Sequence, residues 1–296
     1  PDYGIYIRRK DKHSQENLSI DVNKLAKGKE FYQLANWSIS PDEKTMTYAE
    51  DESGRRQYTI KFKDLEKDTT SNYSLSNTSG DMAWSSDGKS LVYVLRNEET
   101  LLPFKLFRHE LGTSQDQDAL VYEDKDTTFY LSVGNTRSID YIEVDISSTT
   151  SSEVRLIRSN DPTMSPEIFL TREKDHLYAV DHDPASSRFL IESNWKALNF
   201  RLLETPIDSF QDKTKWKELI PHREDVLLQS VVPFPNHLVI MERENGLRHL
   251  KILEKKTQYV KTINFNDPTY SAYLASNPEY VSCLLYTSPS PRDFVR

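Results

Sequence analysis

A chain of 296 residues can hold one large all-β domain or two ordinary ones, and a net charge of −8 with no basic run argues against a nucleic-acid partner. No stretch approaches the roughly 18 consecutive apolar residues of a membrane span. Apolar content is modest at 36%, yet 16 Tyr, 12 Phe and 4 Trp supply bulky core side chains for short strands.

In chain order, Gly4 to Arg9 and Leu18 to Asp21 read as the last two strands of a repeat unit that begins upstream of Pro1. Asp21 to Gly28 suits a turn of helix closed by Gly28. A four-stranded unit then recurs, clearest from Met82 to Glu123. There Ser86-Asp87-Gly88-Lys89 is a tight-turn signal for a two-residue hairpin, because Asp and Gly tolerate positive φ. Leu91, Tyr93 and Leu95 alternate with Ser90, Val92 and Val94 at the period of a strand, and Phe104 to His109 and Ala119 to Tyr122 follow as two more strands. The apolar residue opening the third strand marks the phase. It is Tyr58, Phe104, Val154, Phe200 and Leu250, separated by 46, 50, 46 and 50 residues.

Full units are drawn over 37–75, 82–123, 128–170, 177–219 and 226–262, with Ala272 to Ala275 as the first strand of a later one. A four-stranded unit at a period of ~40–50 residues is the signature of a β-propeller. The fold class expected is therefore all-β, a propeller with five complete blades, cut inside a blade at both ends. The unpaired strands left at the two cuts are expected to make the chain self-associate. From Val281 the text VSCLLYTSPSPRDFVR leaves the repeat and reads as a translated adapter scar. Residues 1–280 are thus the domain and 281–296 a non-native tail, which takes the sole cysteine, Cys283, with it.

One cysteine excludes a disulfide framework and a multi-cysteine zinc site, and no metal or cofactor is expected. A reducing, cytoplasmic location fits that count and the want of a charged-then-apolar run after Pro1. Sequons at Asn17, Asn36, Asn72 and Asn77 read as turn chemistry. The eight glycines stand at 4, 28, 54, 80, 88, 112, 134 and 246, too scattered for a G-x-S-x-G elbow, a P-loop or a dinucleotide fingerprint. The sialidase, WD40 and kelch blade signatures are missing as well.

His176 and His182, with Asp175, Asp181 and Asp183 beside them, offer metal-type donors. On one extended strand the two imidazoles would stand ~20 Å apart, so turn or surface histidines are expected. His13, His109, His222, His237 and His249 read as isolated surface or loop residues. Glu50-Asp51-Glu52 and Glu123-Asp124-Lys125-Asp126 read as solvated loop charges rather than catalytic carboxylates. Arg55-Arg56 and Arg172 are candidates for anion contacts in a central channel or, more simply, salt-bridged surface arginines. No catalytic, cofactor or metal residue is assigned.

The specific words of the chain resemble the propeller of the oligopeptidase B branch of the prolyl oligopeptidase family. They include DVNKLAKG (21–28), YAEDESGRRQYTIKFKDL (48–65), ETLLPFKLFRHELGT (99–113), YEDKDTTFYLSV (122–133) and SSEVRLI (151–157). REKDHLYAVDH (172–182), NFRLLETP (199–206), WKELIPHRED (216–225) and DPTYSAYLASNPEY (267–280) continue the series. The resemblance implies a seven-bladed propeller over an α/β-hydrolase domain with a Ser-Asp-His triad. That propeller limits access to short peptides, which the enzyme cuts after Arg or Lys. None of the triad or specificity positions has a counterpart here, so this chain alone is expected to be inactive. A free-standing propeller that binds a protein or small ligand is the alternative, and six blades rather than seven stay open from the repeat alone.

Overall fold

The computed structural model describes residues 2–8, 17–265, 267, 269–274 and 280–281. The chain forms two compact bodies, Pro1–Val180 and Asp181–Arg296. In the first, β1 (Ile5–Arg8) pairs antiparallel with β2 (Asn17–Asp21) in a two-stranded sheet, as expected for the opening pair. Helix α1 (Val22–Ala26) follows directly. The Asp21 carboxylate caps it by accepting from the Asn23 N–H, and Gly28 at φ +78° lets the chain leave.

A seven-stranded meander comes next: β3 (Gln33–Ile39), β4 (Thr45–Asp51), β5 (Tyr58–Asp64), β6 (Thr69–Trp84), β7 (Ser90–Arg96), β8 (Pro103–Glu110) and β9 (Ala119–Glu123). It is two four-stranded modules sharing β6. The first half of that strand pairs with β5 and the second half with β7. The expected break between 75 and 82 is absent because the strand runs through it. Gly80, at φ +91°, takes the bend where an added Cβ would lie 3.3 Å from the Tyr58 ring.

Three separate four-stranded sheets follow. The third module comprises β10 (Tyr130–Asn135), β11 (Tyr141–Ser147), β12 (Ser152–Arg158) and β13 (Glu167–Leu170). The fourth comprises β14 (Tyr178–Asp183), within which the two bodies part, β15 (Arg188–Ser193), β16 (Arg201–Pro206) and β17 (Lys217–Ile220). The fifth comprises β18 (Val226–Pro233), β19 (His237–Glu244), β20 (Leu247–Glu254) and β21 (Val260–Thr262). The phase markers fall in or beside the third strand of every module. Tyr58 opens β5, and Phe200 stands one residue before β16.

One local expectation is corrected. The Ser85 to Lys89 turn is not a two-residue hairpin. It is a five-residue loop in which only Gly88 has positive φ, Ser85 Oγ donates to Asp87 Oδ1 (2.7 Å) and the Lys89 N–H donates to the same oxygen (3.0 Å). Ser40 and Asp42 build the same loop before β4. Strand β7 is buried on both faces. Leu91 and Tyr93 pack with Ile60 and Phe62 of the first module, whereas Val92 and Val94 pack with Leu131, Ile142 and Val144 of the third. A sheet covered on both faces loses the polar half of its alternation.

Of the later strand expected at Ala272 to Ala275, residues 272–274 are described and form none, and Ala275 lies outside the described residues. So do His13, Cys283 and the tail beyond Val281. No helix among the described residues is long and apolar enough to cross a membrane.

Candidate functional site

The acidic word at the end of β4 lines a cleft of about 660 Å³, together with Ser53, Gln57, Lys61, Asn77 and Glu98. Strand alternation explains how its carboxylates come to differ. Glu50 is buried and accepts from Tyr32 Oη (2.8 Å), with Lys61 Nζ 3.9 Å away. Burial and then this carboxylate hold the Tyr32 phenol far above its usual range, so Tyr32 is a fixed donor. Asp51 is buried too, and it organises the following loop. Its oxygens accept from the N–H groups of Ser53, Gly54 and Arg56 and from Ser53 Oγ. Burial opposes its ionisation, but these bonds outweigh burial and hold it below the usual carboxylate range. Glu52 pairs with Lys29 at 2.6 Å.

Glu50 and Asp51 are therefore not the solvated loop charges expected. Both close a strand, and their partners are fixed by it. The concavity is electronegative and can hold a cationic group. Proton transfer is another matter, since the oxygens of Asp51 are committed and Glu50 Oε2 is held by Tyr32. Arg55 and Arg56 beside it are exposed, and the fold uses the Arg56 backbone rather than its guanidinium.

The second acidic word and Arg172 were separate candidates; the structure joins them. Arg172, just past β13, bonds Asp124 through Nη2 and reaches Glu153 (3.2 Å) and Asp126 (3.7 Å). Its guanidinium lies over the Phe129 ring, 4.0 Å from the centroid. Asp124 and Glu153 are buried, and Glu153 also accepts from Arg155 Nε (2.8 Å). Burial works to lower the Arg172 pKa, yet the Asp124 bond and the Asp124 and Glu153 charges raise it, so the cation is locked in. Arg172 is thus a bridge from the end of β9 to β12. Nothing local in the sequence ties Glu153 to Arg172, which reaches it from beyond β13.

Three histidines correct the surface reading. His109 is 0% exposed on β8, and its Nδ1 sits 2.8 Å from Asp118 Oδ1, which only accepts, so Nδ1 carries the hydrogen. Tyr93 Oη donates to the other Asp118 oxygen at 2.9 Å. This is the orienting half of a catalytic triad without its nucleophile. The His109 ring stacks beside Phe62 and Tyr73, its Nε2 has no hydrogen-bond partner, and no substrate reaches it. His176 and His182 are buried, His176 against Tyr178 and His182 against Phe189. His176 lies in the loop before β14 rather than on that strand. Asp183 is taken by Lys255 (2.6 Å), Tyr280 (2.6 Å) and Ser186 (2.7 Å). Among the described residues no three His, Cys, Asp or Glu side chains are grouped to hold a metal.

Two polar devices that tie modules together were missed outright. The Asn135 side chain pairs with both backbone groups of Trp84, at 3.1 and 3.0 Å, as a strand would. Tyr178 Oη accepts from the Val154 N–H (2.8 Å) and donates to the Leu170 carbonyl (3.0 Å). It thereby fills the gap where the β12–β13 ladder slips. Neither residue belongs to a local pattern that would have revealed it.

Comparison with known proteins agrees with this architecture. The family model described as the N-terminal beta-propeller domain of prolyl oligopeptidase matches residues 1–290. A dipeptidyl aminopeptidase BI of Pseudoxanthomonas mexicana is 36% identical over 94% of the chain, and Protease 2 of Moraxella lacunata is 29% identical over 94%. The chain spans 40% of the length of either relative. Oligopeptidase B from Leishmania major superposes with a TM-score of 0.85 at 26% identity, covering 93% of this chain and 40% of that one. Oligopeptidase B from Trypanosoma brucei, solved with covalently bound antipain, gives 0.84 at 22% identity over 95% and 41%.

Proposed function

The chain belongs to the prolyl oligopeptidase family through its N-terminal β-propeller domain, and we propose that it is the substrate-gating part of a serine peptidase of the oligopeptidase B type. The observation that carries this is the family match over residues 1–290 in a chain that spans 40% of its curated relatives. The remaining length of such relatives leaves room for an α/β-hydrolase domain, the partner on which the triad would be built. In this reading the propeller admits short unfolded peptides, and the hydrolase domain cuts them after Arg or Lys in the cytoplasm. The electronegative cleft at the end of β4 is of a sign that tolerates basic peptides. No cofactor takes part.

A second reading, removal of dipeptides from the N-terminus, draws on the name of the relative at 36% identity. A free-standing binding propeller is a third, and the length of the relatives weighs against it. The test is the gene that encodes this chain. Full-length protein should turn over an internal Arg- or Lys-based reporter peptide, and residues 1–296 alone should not. Preference for an N-terminal dipeptide reporter would select the second reading. A continuation with no G-x-S-x-G elbow and no later Asp and His would overturn the peptidase assignment.

A further inference from the structure

Glu192 interrupts an apolar face. In β15 it shares a side with Leu190, two residues before it. Leu190 belongs to the cluster formed with Leu202, Leu228, Val231 and Ile240, which fills the seam between the fourth and fifth sheets. The residue directly across the ladder from Glu192 is Leu202, itself fully buried. Into this seam the carboxylate reaches for a backbone group of the neighbouring sheet. Glu192 Oε1 accepts from the Val231 N–H at 2.6 Å. Val231 stands just past the slip in β18 between Leu228 and Ser230, where the ladder to β19 is already interrupted.

We propose that Glu192 is a proton-operated clasp on this seam, closed while its carboxyl is neutral and loosened when it ionises. A neutral carboxyl satisfies Val231 and suits the leucines around it. An ionised one, half-buried, bonds Val231 more strongly but sets its charge against Leu190, Leu202 and the like charge of Asp181. From β14 the charged group acting on it is Asp181, of the same sign; β16 presents Leu202 and β18 a backbone N–H. Burial first and Asp181 last push the ionisation up to about 7, against the pull of the Val231 bond.

The sign follows. Opening the seam returns Glu192 to water, where it ionises near the ordinary carboxylate value. Below that value the clasp is at full strength, it weakens as pH rises toward about 7, and above 7 the loss is complete. Such a seam is tightest in mildly acid solution and most open in alkaline solution. The clasp does not depend on the peptidase reading.

Hydrogen exchange of the full chain tests it, with rates corrected for the intrinsic effect of pH and β11 amides as reference. Protection at Val231 and its β18 neighbours should fall about tenfold between pH 6 and pH 8.5. Glu192→Gln keeps the acceptor and removes the proton, so its protection should be flat across that range. A wild-type profile without slope, or the same slope in the variant, overturns the clasp. Should the variant not fold, the side-chain carboxyl of Glu192 can be followed by carbon NMR in the wild type. A midpoint near 7 is expected, and one near 4 overturns the proposal.

Discussion

Removing the Arg172 guanidinium strands two buried carboxylates at once. Asp124 would keep only Tyr122 Oη (3.2 Å) and the Asp126 N–H (2.8 Å), and Glu153 would keep Arg155. Breaking a buried ion pair from one side costs about 3–5 kcal/mol, because a charge is left in low dielectric. Arg172 keeps 23% of its side-chain surface in solvent, and both acids retain a donor, which favours the lower end. Loss of the Phe129 contact adds roughly 0.5–1 kcal/mol. Arg172→Ala should therefore destabilise by about 3–4 kcal/mol, and Arg172→Lys, which keeps charge but loses the fork, by about 1–2 kcal/mol. Urea unfolding followed by tryptophan fluorescence reads this as a fall in midpoint at unchanged slope. Because the pair is buried, the difference should persist in 1 M salt, where the screening length is only ~3 Å. Adding Asp124→Asn to Arg172→Ala should restore at least ~1 kcal/mol. Loss under ~0.5 kcal/mol for Arg172→Ala, or strict additivity with Asp124→Asn, would refute a buried bridge and return Arg172 to the surface.

Asp51→Asn should cost about 1–2 kcal/mol at neutral pH, since two or more donors lose an ionised acceptor. The Asp51 pKa is depressed in the folded state, so this stabilisation is present above the ordinary carboxylate value and is lost as pH falls through the depressed one; melts of wild type and variant should converge once pH is below it. Asn135→Ala removes two hydrogen bonds to one backbone unit and should cost about 2 kcal/mol, with faster amide exchange at Trp84 as its local mark. Strand β1 pairs with β2 alone in its sheet and leaves Ile5 50% and Ile7 48% exposed. Sedimentation should show concentration-dependent association that Ile5→Lys with Ile7→Lys abolishes, since charges on an edge block pairing. A wild type that stays monomeric at high concentration would count against this.

Strand period, turn chemistry and recurrence are local properties of the chain, and they placed the third, fourth and fifth modules to within about two residues. The third-strand markers, the Ser40 and Ser85 loops and the Asp21 cap all act within a few residues of themselves, so the residue types there are enough. Where the sequence misled, the deciding partner was remote. His109 looked isolated because Asp118 meets it only where the chain turns from β8 toward β9, and for Arg172 the salt bridge was legible but its partner Asp124, 48 residues earlier, was not. Gly80 read as part of a connection because its positive φ lets one strand serve two modules, a role set by the Tyr58 ring against it. Glu192, a lone acid in an apolar strand, shows the limit most plainly. Nothing in the sequence singles it out, and only packing of the fifth sheet brought the Val231 N–H to it. Burial and charge are sums over neighbours in space, and the chain order of a propeller blade carries no record of which blade will supply them.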